Sequence, residues 1–203
     1  MSSSSPSFVD RERRELADLF EQVGPAAPTL CDGWDAAHLA SHLVSRERRP
    51  DALPGLGAEL VVPGNPLTTW THRLEDRLRT STSFADLVGR LRAGPPAWSP
   101  LAWPPVNRML NTTEFAIHHE DVRRAQPDWS PRQLPVAAQD TLWNAAGLFA
   151  RRAAGRRGLV LRRSDVPGAT KRFGAGGRTV EGEPMELLLW ASGRRDHARV
   201  TVS

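Results

Sequence analysis

The sequence predicts a mainly α protein, a four-helix bundle over residues 7–155 followed by a small α+β subdomain over residues 156–203. Three features carry that expectation. Four long stretches repeat apolar residues at helical spacing, prolines and glycines gather between the second and third of them, and past Gly155 the period shortens to strand-like runs separated by turns. A chain of 203 residues is long enough to bury a sizeable core.

Residues 1–6, a serine-rich start with no apolar segment behind a charged one, read as a disordered tail rather than a signal peptide. Helix one spans residues 8–23, where Phe8, Val9, Leu16, Leu19, Phe20 and Val23 form one stripe that Gly24 and Pro25 end. Asp35 offers the N-cap of helix two, residues 35–48, which turns Leu39, Leu43 and Val44 inward with His42 beside them. Pro50, Pro54 and three glycines then impose an irregular crossover over residues 50–65 with one short apolar run at 59–62. A loop of that length inside a domain is more often functional than idle.

Residues 70–78 and 83–91 predict one broken helix or two short ones, the second capped by Ser83. The GPPAWSPLAWPP run excludes regular helix and reads as a rigid connection whose Trp98 and Trp103 cover apolar surface. Helix three follows over residues 106–125, with Val106, Met109, Leu110, Thr113, Ile117 and Asp121 on one face and Glu114 and His118 on its flank. Helix four covers residues 133–154 along a stripe of Leu134, Ala138, Leu142, Ala145, Phe149 and Ala153. The last fifth of the chain carries strand-like runs at 159–163, 169–173 and 179–181, a short helix over 184–192, and an alternating strand at 197–202.

Composition narrows the function. The formal net charge is +4, and Lys171 is the one lysine, so the basic charge is almost all arginine. Those arginines are scattered through every predicted element instead of gathering on one face beside aromatics, which argues against a nucleic-acid partner. No apolar stretch is long enough to span a membrane, and a cytoplasmic protein is expected. The single Cys31 removes any internal disulfide or multi-cysteine zinc site and leaves His, Asp and Glu as metal donors.

The chemistry concentrates in NTTEFAIHHED, residues 111–121. Four residues apart on a helix, Glu114 and His118 stand one turn above each other on a single face and make a two-pronged clamp. Such pairs also occur on ordinary surface helices, so a third ligand is required. His42 supplies one: inward-facing side chains of neighbouring bundle helices can meet in the core, and two imidazoles with one carboxylate leave room on a cation for water or substrate. The order of residues is not H-E-x-x-H, so this is not the zinc-protease helix. Asp121 could orient a metal-bound histidine, although a solvated face is the simpler reading for it and for Glu120. His119 points about 100° away from His118 and reads as an outer or surface group. His72 could reach the open side of the site, His197 reads as surface, and Cys31 reads as a small buried residue more readily than as a catalytic thiol. Arg46, Arg48 and Arg49, at the end of helix two, could grip a carboxylate or simply solvate that helix end.

At these residues the chain resembles the DinB-like metal-binding superfamily. GWDAAHLASHL is similar to its G-W-x-x-x-x-L-x-x-H-L entry into helix two, and E-x-x-x-H to its helix-three motif. Within that superfamily it resembles the mycothiol-dependent maleylpyruvate isomerase branch, whose small C-terminal α+β part matches the GRTVEGEPMELLLWASGR region in place and character. The resemblance implies a DinB-like bundle and a divalent-metal site, zinc before others, in which His42, Glu114 and His118 are the ligands. It also implies a low-molecular-weight thiol of the mycothiol type as co-substrate, Arg46 and Arg49 as candidate contacts for it, and a thiol-dependent transferase or isomerase acting on a small electrophile. A homodimer is possible in such a fold. A non-catalytic or stress-associated metal-binding protein stays open as the alternative. The chain departs from the pattern at His38, where the superfamily has an acidic residue; a capping or surface role is favoured there over a fourth nitrogen at the metal.

Overall fold

The computed structural model describes residues 6–48 and 66–203. Residues 1–5 of the expected tail, the 50–65 crossover and Arg49 lie outside the described residues. Eight α-helices and a four-stranded sheet among the described residues give the expected mainly α fold with a C-terminal α+β part. The chain divides into two compact units, Met1–Leu110 with His118–Pro127, and Asn111–Ile117 with Asp128–Ser203.

In the first unit, α1 (Phe8–Val23) opens on a reciprocal cap: Ser7 Oγ accepts from the Asp10 N–H at 3.2 Å while Asp10 Oδ2 accepts from the Ser7 N–H. Its expected stripe is buried at Val9, Leu16, Ala17 and Phe20. The connection to α2 (Ala36–Arg48) is pinned rather than loose, because Thr29 Oγ1 donates to the Trp34 carbonyl at 2.7 Å and accepts from the Cys31 N–H. Leu30 N–H donates to the Asp121 carbonyl at 3.0 Å. Asp35 caps α2 as expected, accepting from the His38 N–H at 2.9 Å. The ambiguous middle resolves into two helices, α3 (Pro66–Ser81) and α4 (Phe84–Ala93), with Ser83 as the cap of the second. α2 packs against both, and α4 also against α1.

The proline-rich connection departs from expectation. Leu101 fills the buried position in a single 3-10 turn, Pro100–Ala102, and leaves Trp98 and Trp103 about two-thirds exposed, at 63% and 64%. Helix three of the sequence reading is α5 (Pro104–Arg123), and its inward face was partly misassigned. Met109 and Leu110 are exposed, while Asn111, Thr112, Phe115, Ala116, His119, Glu120 and Asp121 are buried. A helix that buries polar groups hides its inner face from an apolar-period reading.

In the second unit, the single helix expected over 133–154 is two, α6 (Val136–Ala145) and α7 (Gly147–Ala154). The break is a one-residue turn at Ala146, through which the helical bonds Ala146 N–H to Leu142 O and Ala150 N–H to Ala146 O continue. Both helices pack against α8 (Pro184–Ala191), and α7 also against the sheet. The sheet order is β2-β1-β3-β4, where β1 (Leu159–Arg163) runs antiparallel to β2 (Thr170–Phe173) and parallel to β3 (Arg178–Gly182), and β4 (Thr201–Val202) closes the edge antiparallel to β3. The last strand is shorter than expected: a 3-10 turn, Arg195–His197, takes its first residue, and residues 198–200 form no regular strand. The β2–β3 connection crosses over the start of β1, and only glycine fits there: a Cβ on Gly158 would stand 2.0 Å from the Gly176 carbonyl oxygen. The core of this unit is apolar, built from Trp143, Ala150, Leu159, Leu161, Val180, Leu187 and Trp190.

Candidate metal centre

α2 is buried almost all round, which places His42 in the interior at 7% exposure between Leu39 and Leu43 of its own helix. On α5, one turn separates Glu114 from His118, both partly buried. One donor atom each from His42, Glu114 and His118 lie within 4.8 Å of one another. A tetrahedral zinc holds its donors about 3.4 Å apart, so small side-chain movements would let these three share one ion. The rings of His42 and His118 meet edge to face, their centroids 5.5 Å apart.

Each imidazole is held from behind by a buried carboxylate. His42 Nδ1 lies 2.8 Å from Glu75 Oε1, and His118 Nδ1 lies 2.8 Å from Asp121 Oδ2. Glu75 is 5% exposed and Asp121 0%. An ionised carboxylate only accepts, so these contacts place the imidazole proton on Nδ1 and make Nε2 the nitrogen with a lone pair to offer. Glu75 bridges further, its Oε2 lying 3.2 Å from Nδ1 of the half-exposed His72. The Trp34 ring packs against both histidines, 5.1 Å from His42 and 6.0 Å from His72 between centroids. A cavity of about 290 Å³ opens beside them, lined by Trp34, His38, Ser41, His72, Glu75 and Asp76.

Several sequence-based assignments change. Asp121 is not on a solvated face; it is fully buried and also accepts from the Cys31 thiol at 3.2 Å. Glu120 is equally buried, accepting from Arg124 Nε at 2.5 Å and from Arg123. His119 is not a surface group: at 4% exposure its Nδ1 lies 2.9 Å from the buried Glu12 Oε2. Cys31 is half-buried, with its sulfur 3.7 Å from His118 Nδ1. His38 does stay with the cap, its Nδ1 2.7 Å from Asp35 Oδ1. Burial works against ionisation of Asp35, but the His38 N–H and imidazole outweigh it and hold the carboxyl below its ordinary 3.8. Arg46 is buried in α2, with Nη2 3.5 Å from the Leu110 carbonyl oxygen. Two further donor groups of metal-binding spacing occur among the described residues, Cys31 with His118 and Asp121, and Glu12 with Glu15 and His119.

Glu75 went unread in the sequence. Its i,i+3 spacing from His72 in THRLED was visible, but its meeting with His42, 33 residues earlier, is a product of the α2–α3 packing alone.

No protein-family model matches the chain, and no curated protein does. Solved structures do match. The crystal structures of the mycothiol-dependent maleylpyruvate isomerase and of a histidine-to-alanine mutant of it each superpose with a TM-score of 0.58 at 18% identity, over 97% of this chain and 90% of theirs. The fold is shared. The architecture implied by GWDAAHLASHL and by Glu114 with His118 is therefore the one found, and it extends from the helical part through the C-terminal sheet. Among the described residues no helix is long and apolar enough to cross a membrane.

Proposed function

We propose that this protein binds a divalent cation through His42, Glu114 and His118 and uses it to activate a low-molecular-weight thiol of the mycothiol type toward a small electrophile. The observation that supports the reading most is the pair of carboxylate-backed histidines. A metal-ligating imidazole usually donates its other N–H to a carboxylate, and here Glu75 serves His42 as Asp121 serves His118. The donor set fits a zinc-type ion: two neutral imidazoles and one carboxylate, with coordination positions left for exchangeable ligands.

A divalent cation held by His42, Glu114 and His118 would lower the pKa of a bound thiol and so supply a nucleophilic sulfur at neutral pH. The chain's own residues supply the rest. Glu75 and Asp121 fix the tautomer and tilt of the two imidazoles. Trp34 walls the site against bulk water, and the 290 Å³ cavity beside it is the proposed entry for the small molecules. His72, whose Nδ1 rests on Glu75, presents its ring at that cavity and can exchange a proton with a bound substrate. Arg46, and Arg49 after it, are the proposed grips for a carboxylate on the thiol or substrate. The likeness to a mycothiol-dependent isomerase supports the choice of thiol, with isomerisation or transfer as the reaction classes.

The test pairs the zinc-loaded protein with mycothiol and a panel of electrophiles that includes maleylpyruvate. Thiol-dependent turnover and a thiol-dependent rise in melting temperature are expected. Bound zinc with neither effect would leave a non-catalytic metal-binding protein as the correct description.

A further inference from the structure

A second concavity, in the first unit, has the opposite character from the histidine site. A cavity of about 740 Å³ opens beside the starts of α1 and α5 and the end of α4. Its lining includes four guanidinium groups, Arg13, Arg14, Arg92 and Arg108, with the Asn107 amide. Asp10 is the one carboxylate that lines it among the described residues. The Asp10 charge is already engaged, since its carboxylate closes the α1 cap with Ser7 and reaches Arg13 Nη1 at 3.4 Å.

The four arginines differ in how they are held. Arg13 is buried, ion-paired to Glu47, and lies beside Gly94, where an added Cβ would stand 3.7 Å from the guanidinium. Asp18 and Glu21 tether Arg92 from outside the cavity, and these bonds hold its guanidinium more firmly protonated than usual. Arg14 and Arg108 are exposed side chains on α1 and α5. The first turn of α5 carries no acidic residue, so the positive end of that 20-residue helix adds to the field. Arg13 and Arg92 are held by carboxylates, whereas Arg14, whose Nε donates to the Asp10 carbonyl at 3.1 Å, and Arg108 line the cavity from exposed positions.

We propose that this cavity binds a small, multiply charged oxyanion, gripped by Arg14 and Arg108 and walled by Arg13 and Arg92. Guanidinium forks match the paired oxygens of phosphate and carboxylate groups, and a cavity of this size takes a compact ligand rather than a polymer. His42, Glu114 and His118 do not line this cavity.

Isothermal titration calorimetry of the full chain with inorganic pyrophosphate, and separately with citrate, at low ionic strength tests this. One saturable site per chain is expected, with pyrophosphate or citrate preferred according to whether the natural ligand is a phosphoryl or a polycarboxylate compound. Arg14→Gln and Arg108→Gln should each weaken binding at least about tenfold, the loss expected for a charged hydrogen bond. Arg108→Lys should fall between, keeping charge but losing the fork. His42→Ala should bind as the parent does. Absence of saturable heat with both anions would overturn the proposal, as would affinity equal to the parent's in both glutamine variants. So would a loss confined to His42→Ala, which would place the anion on a metal instead.

Discussion

The helical unit and the α+β unit solve burial in opposite ways. The first encloses Glu12, Arg13, His42, Glu47, Glu75, His119 and Asp121, and each of these meets an oppositely charged or ionisable partner inside. The second closes around Trp143, Leu159, Leu161, Val180, Leu187 and Trp190, and buries fewer charges: Arg163, held by Asp140 and Asp165, and Glu186, which accepts from the Arg199 N–H. Taking ionisable groups out of water is costly and is recovered only through good pairing, so a purely structural interior would favour the second arrangement. The contrast ties the proposed metal centre to the paired polar interior around His42, Glu75, His118 and Asp121, and leaves the apolar cluster around Leu161 and Trp190 out of it.

The largest effect that would sharpen this contrast is on metal binding. Glu114→Ala and His118→Ala each delete a donor and should lower zinc affinity by more than the roughly 10–100-fold typical of losing an orienting partner, measured by competition against a chromophoric chelator. Glu75→Gln, which leaves all three donors in place, should fall within that 10–100-fold range, and unchanged affinity would deprive Glu75 of its orienting role. In the second unit, Leu161→Ala should destabilise by about 2–5 kcal/mol in denaturant melts while leaving one equivalent of zinc bound. A loss of zinc in that variant would erase the division of labour.

The smallest effects are on pH dependence, and they should differ in sign. Burial pushes the Glu47 carboxyl up from its ordinary 4.5, against the pull of Arg13. The folded state then holds that proton more tightly than the unfolded state, so stability from this group declines as pH rises above about 4.5. The Arg163 guanidinium pulls the Asp165 carboxyl below its ordinary 3.8, against burial, so its contribution is present above 3.8 and is lost as pH falls through the lower folded value. Glu47→Gln should therefore flatten the melting temperature against pH on the neutral side, and Asp165→Asn on the acid side. Swapped behaviour would show that the pairs do not act as the geometry indicates.

How much of this was legible in the sequence follows the same contrast. Where burial is apolar and local signals are strong, the reading succeeded: the Ser83 and Asp35 caps, β1 at 159–163 and the Pro184 helix all lie where expected. His42, Glu114 and His118 were singled out by spacing and by resemblance, and the fold brings them together. The failures cluster on α5, where Asn111, Thr112, His119 and Asp121 face inward while Met109 faces out. A periodicity argument assigns polar residues to solvent, and only their partners across the fold, such as Glu12 for His119, reverse that assignment. Glu75 could not be found for the same reason.

The central claim is that the cation's protein donors are two imidazoles and a carboxylate. X-ray absorption at the zinc edge of the loaded protein, reduced with a phosphine and free of added thiol, reads the donor set directly. The account predicts two imidazole nitrogens with the remaining positions filled by oxygen. A sulfur neighbour at about 2.3 Å would instead place the ion on Cys31, His118 and Asp121 and contradict it.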